Sequence, residues 1–356
     1  MYENTSELLT FVSSTTTIPL KNRRQKTTPT MTKHCKLYVL LTTITVFVIF
    51  AAIALGACYQ AVTTEAHVRY AGMMNIASEK LGKTIRGMEM NAMNVFDEVE
   101  KHLESPDAVI AALYSKTSLN PEVRGYFAAF EPNYFPAKGT WFEPYVVHID
   151  SGDFELRMVG SARHNYHKSD WYIRAKQSSD SFWSDPYYYY DGSNISGHYT
   201  TFVKPVFDAQ GRLACVCGAD MTFEWLGKEL QRIDEDFRNN ELLNQFKLDS
   251  DGDFFTAVLD DDGCCIVSPE GKKVTLTQEQ MVLSLSEKKS GTIDLDIDGV
   301  PSTIYYCPIE RVNWSVAIVV AKQSMWGVLL RMAGILLLVA VIGILLIWFA
   351  IRKVKG

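Results

Sequence analysis

The sequence predicts an α+β protein in which two tandem antiparallel-sheet lobes lie on one long N-terminal helix, flanked by two transmembrane helices. Three observations support this prediction. Two uncharged apolar runs lie towards the ends of the chain, and a long proline-free segment with a helical apolar stripe follows the first run. Short alternating segments joined by Asp/Gly turns fill most of the remainder, as in antiparallel sheets.

The two apolar runs, Leu37 to Cys58 and Met332 to Ile351, each have about the 20 residues that an α-helix needs to cross a bilayer. The two tails outside these runs are rich in Lys and Arg, whereas the sequence just inside the runs is poorer in them, which predicts that both termini are cytoplasmic. The N-terminal tail is rich in Thr and Ser and is predicted to be disordered. The predicted parts are a cytoplasmic tail (1–36), a transmembrane helix (37–58), a stalk helix (59–105), a membrane-distal lobe (106–235), a membrane-proximal lobe (236–324), a second transmembrane helix (325–351) and a cytoplasmic end (352–356).

A rival interpretation of the first run is a signal peptide. Leu55-Gly56-Ala57-Cys58 looks like the cleavage motif of a bacterial lipoprotein, and translation from Met31 would give a segment of signal-peptide proportions. The alternative function is then a membrane-anchored protein, lipidated at Cys58, that binds a ligand and presents it to a partner. The length of the run and the second apolar run favour a transmembrane helix instead.

The stalk segment is predicted to continue the first transmembrane helix, because no helix breaker separates them and the first proline after it is Pro106. Its apolar residues recur at spacings of three and four, which places them on one face; they are Ile85, Met88, Ala92, Val95, Val99 and Leu103. Such a stripe predicts packing on the lobes of the same chain and pairing with a second copy. A homodimer is therefore expected.

The lobes are predicted from shorter patterns. In the distal lobe, helices are expected at Asp107–Ser115 and Pro121–Ala129. Paired strands are expected around each Asp/Gly turn, namely Tyr145–Ile149 with Phe154–Met158 and Tyr199–Phe207 with Leu213–Asp220 in the distal lobe, and Phe255–Leu259, Cys264–Val267, Gly291–Ile297, Ser302–Cys307 and Trp314–Val319 in the proximal lobe.

Several function classes are disfavoured. The net charge is −6 and no basic stripe is present, so no nucleic-acid partner is expected. No nucleophile–base pair or nucleotide loop is recognisable, so the chain is not expected to be an enzyme. No metal or other cofactor is expected, because the aspartates at 249–253 are followed by Phe254 where a calcium loop needs Gly, and His164 and His167 lack a third ligand that spacing can place.

Five segments give the chain a family resemblance. They are Ala129–Asn133, Asp170–Ala175, Phe182–Tyr187, Lys204–Val206 and Gly218–Met221. Their order and spacing resemble the membrane-distal lobe of double-Cache sensor domains, and the resemblance covers about residues 60–322. It implies PAS-like lobes outside the cytoplasm that bind small molecules and signal across the membrane. In bacteria, such lobes precede chemotaxis, kinase, cyclase or phosphatase output domains.

The same segments suggest a ligand site. Aromatic side chains with polar tips and a strand-end carboxylate suit a small ligand, and the candidates are Tyr166, Trp171, Tyr172, Tyr187, Tyr189 and Asp220. Family members that bind amino acids usually carry an Arg two residues before the Trp and an Asp two residues after the Pro-Tyr tyrosine. Here these positions are Ser169 and Tyr189, with Lys168 and Arg174 as possible substitutes for the Arg. A small polar or cationic ligand is therefore expected.

The resulting expectation is the sensing part of a two-span receptor in a bacterial inner membrane, in chemotaxis or two-component signalling. Only five residues follow the second apolar run, so an output domain is expected on a missing segment or on a separate signalling protein. The expected partners are the small-molecule ligand, the lipid bilayer, a second copy of the chain and that output protein.

Overall fold

The computed structural model describes residues 33–116, 122–149, 152–190, 195–240, 254–269, 274 and 279–353. The predicted disordered tail as far as residue 32 and the aspartates at 249–253 lie outside the described residues. The chain divides into two compact units. One unit comprises Met1–Ile53 with Ile335–Gly356, and the other, which we call the lobed unit, is Ala54–Gly334.

The helices and strands follow one another in an order typical of two successive sheets with helices between them. They are α1 (Lys33–Lys101), α2 (Pro106–Ser115), β1 (Gly125–Phe130), β2 (Pro144–His148), β3 (Phe154–Met158), α3 (Asp170–Gln177), β4 (Phe182–Trp183), β5 (Tyr187–Tyr189), β6 (Gly197–Phe207), β7 (Leu213–Thr222), α4 (Phe223–Asn239), β8 (Phe254–Asp260), β9 (Cys265–Val267), α5 (Glu279–Ser286), β10 (Gly291–Ile297), β11 (Val300–Pro308), β12 (Trp314–Ala321) and α6 (Gln323–Lys353).

The first unit holds the apolar parts of α1 and α6, and both helices are long and apolar enough to cross a membrane. Its threonines are compatible with hydrocarbon because their hydroxyls donate to carbonyls of the preceding turn. Thr42 donates to the Tyr38 carbonyl at 2.9 Å, and Thr45 donates to the Leu41 carbonyl at 3.0 Å. Both hydroxyls are therefore satisfied within their own helix, as a bilayer requires.

Helix α1 runs without a break from the apolar run into the stalk, as the sequence predicts. The predicted stripe is buried by the chain's own lobes, since Ile85, Met88 and Val95 are at most 2% exposed and belong to the largest apolar core. The stripe therefore offers no surface to a second copy, and that part of the prediction is wrong. A different face of the stalk is exposed, with Val68 67% and Met90 69% accessible.

The distal lobe is an antiparallel sheet, and within the described residues it has seven strands. Its order is β3-β2-β1-β7-β6-β4, with β5 also paired to β6. One face packs on α1 through a core that includes Phe96 and Phe202, whose rings stack at 6.2 Å. At its edge, Lys204 Nζ lies 2.7 Å from Asp97 and 2.9 Å from Glu100 of α1, which fixes the lobe to the helix.

The predicted helix over Pro121–Ala129 is wrong, because Gly125–Phe130 forms the central strand β1. All six of its residues are buried, since β1 lies between two strands and has packed layers on both faces. A strand buried on both faces does not alternate between apolar and polar residues, so its sequence cannot be distinguished from a short buried helix by period. The predicted hairpins around β2–β3, β6–β7, β8–β9 and β10–β11 are confirmed.

The proximal lobe is a second antiparallel sheet in the order β10-β11-β12-β8-β9. Helix α4 connects the lobes, and its first turn is capped by the Thr222 side chain, which accepts from the Trp225 amide at 3.2 Å. The buried Asp234 carboxylate on α4 accepts from the amide and hydroxyl of Thr256 on β8. This pairing fixes the second sheet to the helix that follows the first.

Candidate ligand-binding site

The candidate site lies on the face of the distal sheet that points away from α1. Strand β7 alternates, so Cys215 and Cys217 pack in the core against α1 while Val216 packs in a second core with Trp171 of α3. Asp220 is on the same side as Val216, because the two are four residues apart in one strand. A cavity with an empty volume of about 410 Å³ lies over this face.

The cavity is mainly aromatic and contains two buried carboxylates. Its described lining is Phe127, Glu143, Tyr145, Val159, His164, Trp171, Tyr187, Tyr189, Ile195, Tyr199 and Asp220. It shares four of these residues with an outer cleft formed by the segments before α3 and around β5. Among the described lining residues of the inner cavity, none is Lys or Arg.

Asp220 is held by hydroxyls from two neighbouring strands. It lies opposite Thr201 in the β6–β7 register, and the Thr201 hydroxyl donates to its Oδ1 at 2.6 Å. The Tyr187 hydroxyl lies 3.4 Å from the same oxygen and 2.7 Å from the Thr201 hydroxyl. Burial raises the pKa of Asp220 to about 6, although hydrogen bonds from Thr201 and Tyr187 favour the charged form.

Two glycines let aromatic rings lie directly on the sheet beside Asp220. A Cβ at Gly125, the register partner of Asp220 on β1, would be 2.5 Å from the Tyr145 ring. A Cβ at Gly218, the partner of Phe127, would be 2.1 Å from the Phe127 ring. Both contacts are too close for a side chain. The floor of the cavity therefore requires glycine at these two positions.

Glu143 supplies the second carboxylate, and its side chain is only 4% exposed. It comes immediately before β2, and its Oε2 is buried without a hydrogen-bond partner among the described residues. His164 Nε2 lies 3.6 Å from this oxygen, which is outside hydrogen-bonding distance. Burial first, and then the neighbouring Asp220 carboxylate, raise the pKa of Glu143 well above its ordinary value.

Comparison with known proteins supports a sensor fold. Residues 109–228 match the family model of the first PDC sensor domain of methyl-accepting chemotaxis protein-like proteins. The periplasmic sensory domain of the Campylobacter jejuni chemoreceptor Tlp1 is similar with a TM-score of 0.60 at 12% identity, over 74% of this chain and 98% of that one. A search of curated proteins finds no significant match.

Two further solved structures share the architecture. The extracellular domain of mmHK1S-Z3, described as a histidine kinase, has a TM-score of 0.57 at 18% identity, over 73% of this chain and 97% of that one. The ligand-binding domain of the Pseudomonas fluorescens chemoreceptor CtaA, solved with L-isoleucine, has a TM-score of 0.50 at 15% identity, over 76% of this chain and 97% of that one. The lobed unit has a double-Cache sensor fold. The resemblance predicted from the sequence is confirmed.

The distal lobe brings four of the six predicted site residues to the cavity, namely Trp171, Tyr187, Tyr189 and Asp220. The tyrosine run alternates along β5, so Tyr187 and Tyr189 face inwards while Tyr188 and Tyr190 are 58% and 73% exposed. The run therefore forms a wall of the cavity on one side and a solvent-exposed surface on the other.

Tyr166 and Tyr172 lie outside the cavity lining, so their prediction as site residues is corrected. The Tyr166 hydroxyl donates to the Phe130 carbonyl at 2.7 Å, and the side chain is fully buried. The Tyr172 hydroxyl donates to Glu131 Oε1 at 2.8 Å. Both side chains pack in the core between α3 and the sheet and line neither the inner cavity nor the outer cleft. Their hydroxyls already donate to protein acceptors, so these two side chains contribute to the packing around the site and do not contact a ligand.

Glu143, Tyr145 and Tyr199 are lining residues that sequence reasoning did not identify. A signal for Glu143 is present in the sequence, since this carboxylate directly precedes a buried strand within an aromatic segment. Such a carboxylate needs a buried partner or a functional reason. The suggested substitutes for the missing clamp Arg, Lys168 and Arg174, line the outer cleft, where Arg174 lies 4.1 Å from the Phe182 ring centroid.

Proposed function

We propose that this chain is the sensing part of a two-span receptor of the bacterial cytoplasmic membrane, and that its distal lobe binds a small organic cation outside the cytoplasm. The observation that supports this most directly is Asp220, a carboxylate only 7% exposed within an aromatic cavity. A buried carboxylate attracts a cation strongly because little water screens it. Tyrosine and tryptophan faces add cation–π attraction.

The proposal explains why this site differs from a clamp for amino acids. The expected Arg position is Ser169, at the start of α3, and the two nearby cations lie in the outer cleft. CtaA, which shares the fold, is described in complex with L-isoleucine, and this supports small-molecule binding by the architecture in general. The inner cavity here has two carboxylates, so an ammonium fits its charge better than a ligand carboxylate does.

A thermal-shift panel tests this proposal on the full chain in lipid nanodiscs. Primary and quaternary ammonium compounds, neutral amides, carboxylates and zwitterionic amino acids are compared at pH 7.5 and equal concentration. We expect at least one cation to raise the melting temperature by several degrees, because a ligand at 100 times its Kd stabilises by about 2.7 kcal/mol. The cation site would be contradicted if only carboxylates stabilised the protein, or if none of the compounds did.

The same proposal includes a homodimer that associates through the exposed face of α1. The predicted stripe is unavailable, but Val68, Ile76 and Met90 recur on an exposed face of the helix. A second copy of the stalk packed along this face would bury all three side chains together. Two parallel stalks would allow a small displacement in each lobe to pass to the membrane as a rigid-body movement.

We expect Met90→Cys to form a disulfide-independent dimer when intact cells receive a membrane-impermeant bis-maleimide. Ile85→Cys is the matched control, because its side chain is 2% exposed and faces the chain's own core. Both are made in a background with the exposed native cysteines replaced by serine. If an impermeant maleimide labels Met90→Cys but no dimer forms, the helix is outside and the dimer face is wrong. If it does not label at all, the topology is wrong.

Ligand binding also needs a path from the cavity to α1, and we propose that Ser184 and Trp183 provide it. The Ser184 hydroxyl accepts from the Thr201 amide at 3.0 Å, and Thr201 bonds to Asp220. The adjacent Trp183 donates from Nε1 to Glu89 Oε1 of α1 at 2.9 Å. These contacts link the carboxylate that would hold the ligand to the stalk helix.

Glu89 extends this path to the proximal lobe. Its Oε2 accepts from Arg311 Nε at 3.0 Å, in the turn between β11 and β12. The same turn is held on α1 by the Arg86–Glu310 ion pair and by Ser78, whose hydroxyl donates to the Pro308 carbonyl at 2.6 Å. One 8%-exposed carboxylate therefore joins the cavity edge, the stalk and the second lobe, which makes it the proposed junction for signalling.

A further inference from the structure

The second carboxylate of the distal cavity has no function in the proposal so far. Binding one ammonium at Asp220 leaves Glu143 Oε2 buried and without a hydrogen bond among the described residues. Glu143 is more than nine-tenths buried, and its side chain lines the same cavity as Asp220. A polar atom in this state costs free energy unless something binds to it. Its position in the wall of the cavity indicates that the missing partner is part of the ligand.

The charge of the site indicates the class of that partner. Two carboxylates face one small space, and His164, whose Nε2 is 3.6 Å from Glu143, carries a positive charge only when protonated. A ligand with a single ammonium neutralises one carboxylate and leaves the other buried. A ligand with two cationic nitrogens satisfies both and gains a second charge-assisted hydrogen bond.

We propose that the distal cavity recognises an organic dication, such as a short α,ω-diamine, with one ammonium at Asp220 and the other at Glu143. This inference rests on the proposed cation site and adds its ligand class. Trp171, Tyr187 and Tyr189 line both this cavity and the outer cleft, so a short diamine chain would lie between aromatic walls. The hydrocarbon linker of a diamine then lies against rings such as Trp171 and Tyr187.

A divalent metal ion fits the site less well. Calcium takes six to eight oxygen ligands and magnesium demands a near-ideal octahedron. The described residues contain no group of three His, Cys, Asp or Glu side chains placed to hold a metal ion. Apart from the two carboxylates and His164, the lining is aromatic and aliphatic, which suits an organic linker better than a hydrated ion.

Calorimetry on the full chain in nanodiscs at pH 7.5 tests the inference. Diamines with three to six methylenes are titrated alongside alkylamines of the same length, against the wild type, Glu143→Gln and Asp220→Asn. We expect the best diamine to bind about 10- to 100-fold more tightly than its matched alkylamine, which is the range of one charge-assisted hydrogen bond. Glu143→Gln should remove most of the diamine's advantage and weaken the alkylamine much less.

Proton release provides a second measurement that a merely structural Glu143 would not change. Burial raises the pKa of Glu143 well above its ordinary value, and a second ammonium beside the carboxyl should lower this pKa and favour release of its proton to the buffer. The binding enthalpy of diamines should then depend on the ionisation enthalpy of the buffer, and Glu143→Gln should reduce this dependence. Calcium and magnesium chlorides, titrated separately, should give no heat.

The outcomes separate the inference from the proposed function. If alkylamines bind in an Asp220-dependent manner but diamines bind no more tightly, the dication inference is overturned and the cation site remains. The same holds if Glu143→Gln weakens both ligand types equally, since Glu143 would then only support the fold. If no amine binds the wild type, both proposals fail. Preferential binding of a divalent metal would overturn the ligand class.

Discussion

Asp220→Asn should weaken the binding of every organic cation by at least about 100-fold and leave the protein folded. The substitution keeps the shape and an oxygen that accepts from Thr201, so the 2.6 Å contact survives. It removes the negative charge, and the loss of a buried charge pair typically costs several kcal/mol of binding energy. Calorimetry on full-length protein with the best cation from the panel measures the effect. Asp294→Asn, in the proximal lobe and exposed, is the matched control.

The pH dependence gives the same experiment a second readout. Because burial raises the pKa of Asp220 to about 6, cation affinity should rise up to tenfold per pH unit below 6 and level off above it. The groups that face Asp220 are Thr201, Tyr145, Tyr187 and Glu143. Because the pKa of Glu143 is also raised, ionisation of Glu143 should extend the increase in cation affinity to higher pH.

The sign for stability is opposite to that for binding. The folded-state pKa of Asp220 is above the unfolded value, so its contribution to stability is full below the unfolded pKa and is lost as pH rises through about 6. Without ligand, Asp220→Asn should therefore melt higher than the wild type at pH 7.5, and the difference should vanish near pH 4. Equal melting temperatures at both pH values would show that Asp220 is not charged in a dry site.

Glu89→Ala should separate ligand binding from signalling. Glu89 lies outside the cavity lining, so affinity should stay within about threefold of wild type. The substitution removes the acceptor of Trp183 Nε1 and the partner of Arg311, which should cost about 1–3 kcal/mol of folding stability. The contacts that tie the cavity edge to α1 and to the proximal turn would then be lost.

Hydrogen exchange with and without ligand measures this effect. In the wild type, ligand should change exchange in the distal lobe, in α1 and in the turn at 308–311. In Glu89→Ala, only the distal lobe should respond. Glu89→Gln keeps an acceptor for Trp183 and should retain part of the response, while Glu79→Ala, on the exposed face of α1, is the matched control. A full response in Glu89→Ala would rule out this path.

Local patterns were sufficient for most of the fold. The uninterrupted helix α1, the hairpins around Asp/Gly turns and the alternation of Tyr187–Tyr190 all depend on periods of 3.6 or 2, which neighbouring residues set by themselves. The spacing of the aromatic motifs in the distal lobe was specific enough to indicate its fold. Glycine, proline and charge placement determined where elements end, because their effects on the backbone are local.

Only the tertiary structure shows which surface each side chain packs against. The sequence determined that Ile85 and Val95 share one face of α1, but only the packed lobes show that this face is the chain's own core. The sequence of strand β1 does not alternate between apolar and polar residues, because the strand is buried on both faces. Tyr166 and Tyr172 carry the same chemistry as Tyr187, yet their hydroxyls are bound within the core.

The site itself joins residues that are far apart in the chain. Asp220 and Gly125 meet only because β1 and β7 pair, and Glu143 joins them from the start of β2. Sequence alone determined the type of each element and which residues share its faces, since those depend on local backbone geometry. Burial, the Glu143 oxygen without a hydrogen bond among the described residues and the space between rings depend on long-range packing, so only the tertiary structure could decide them.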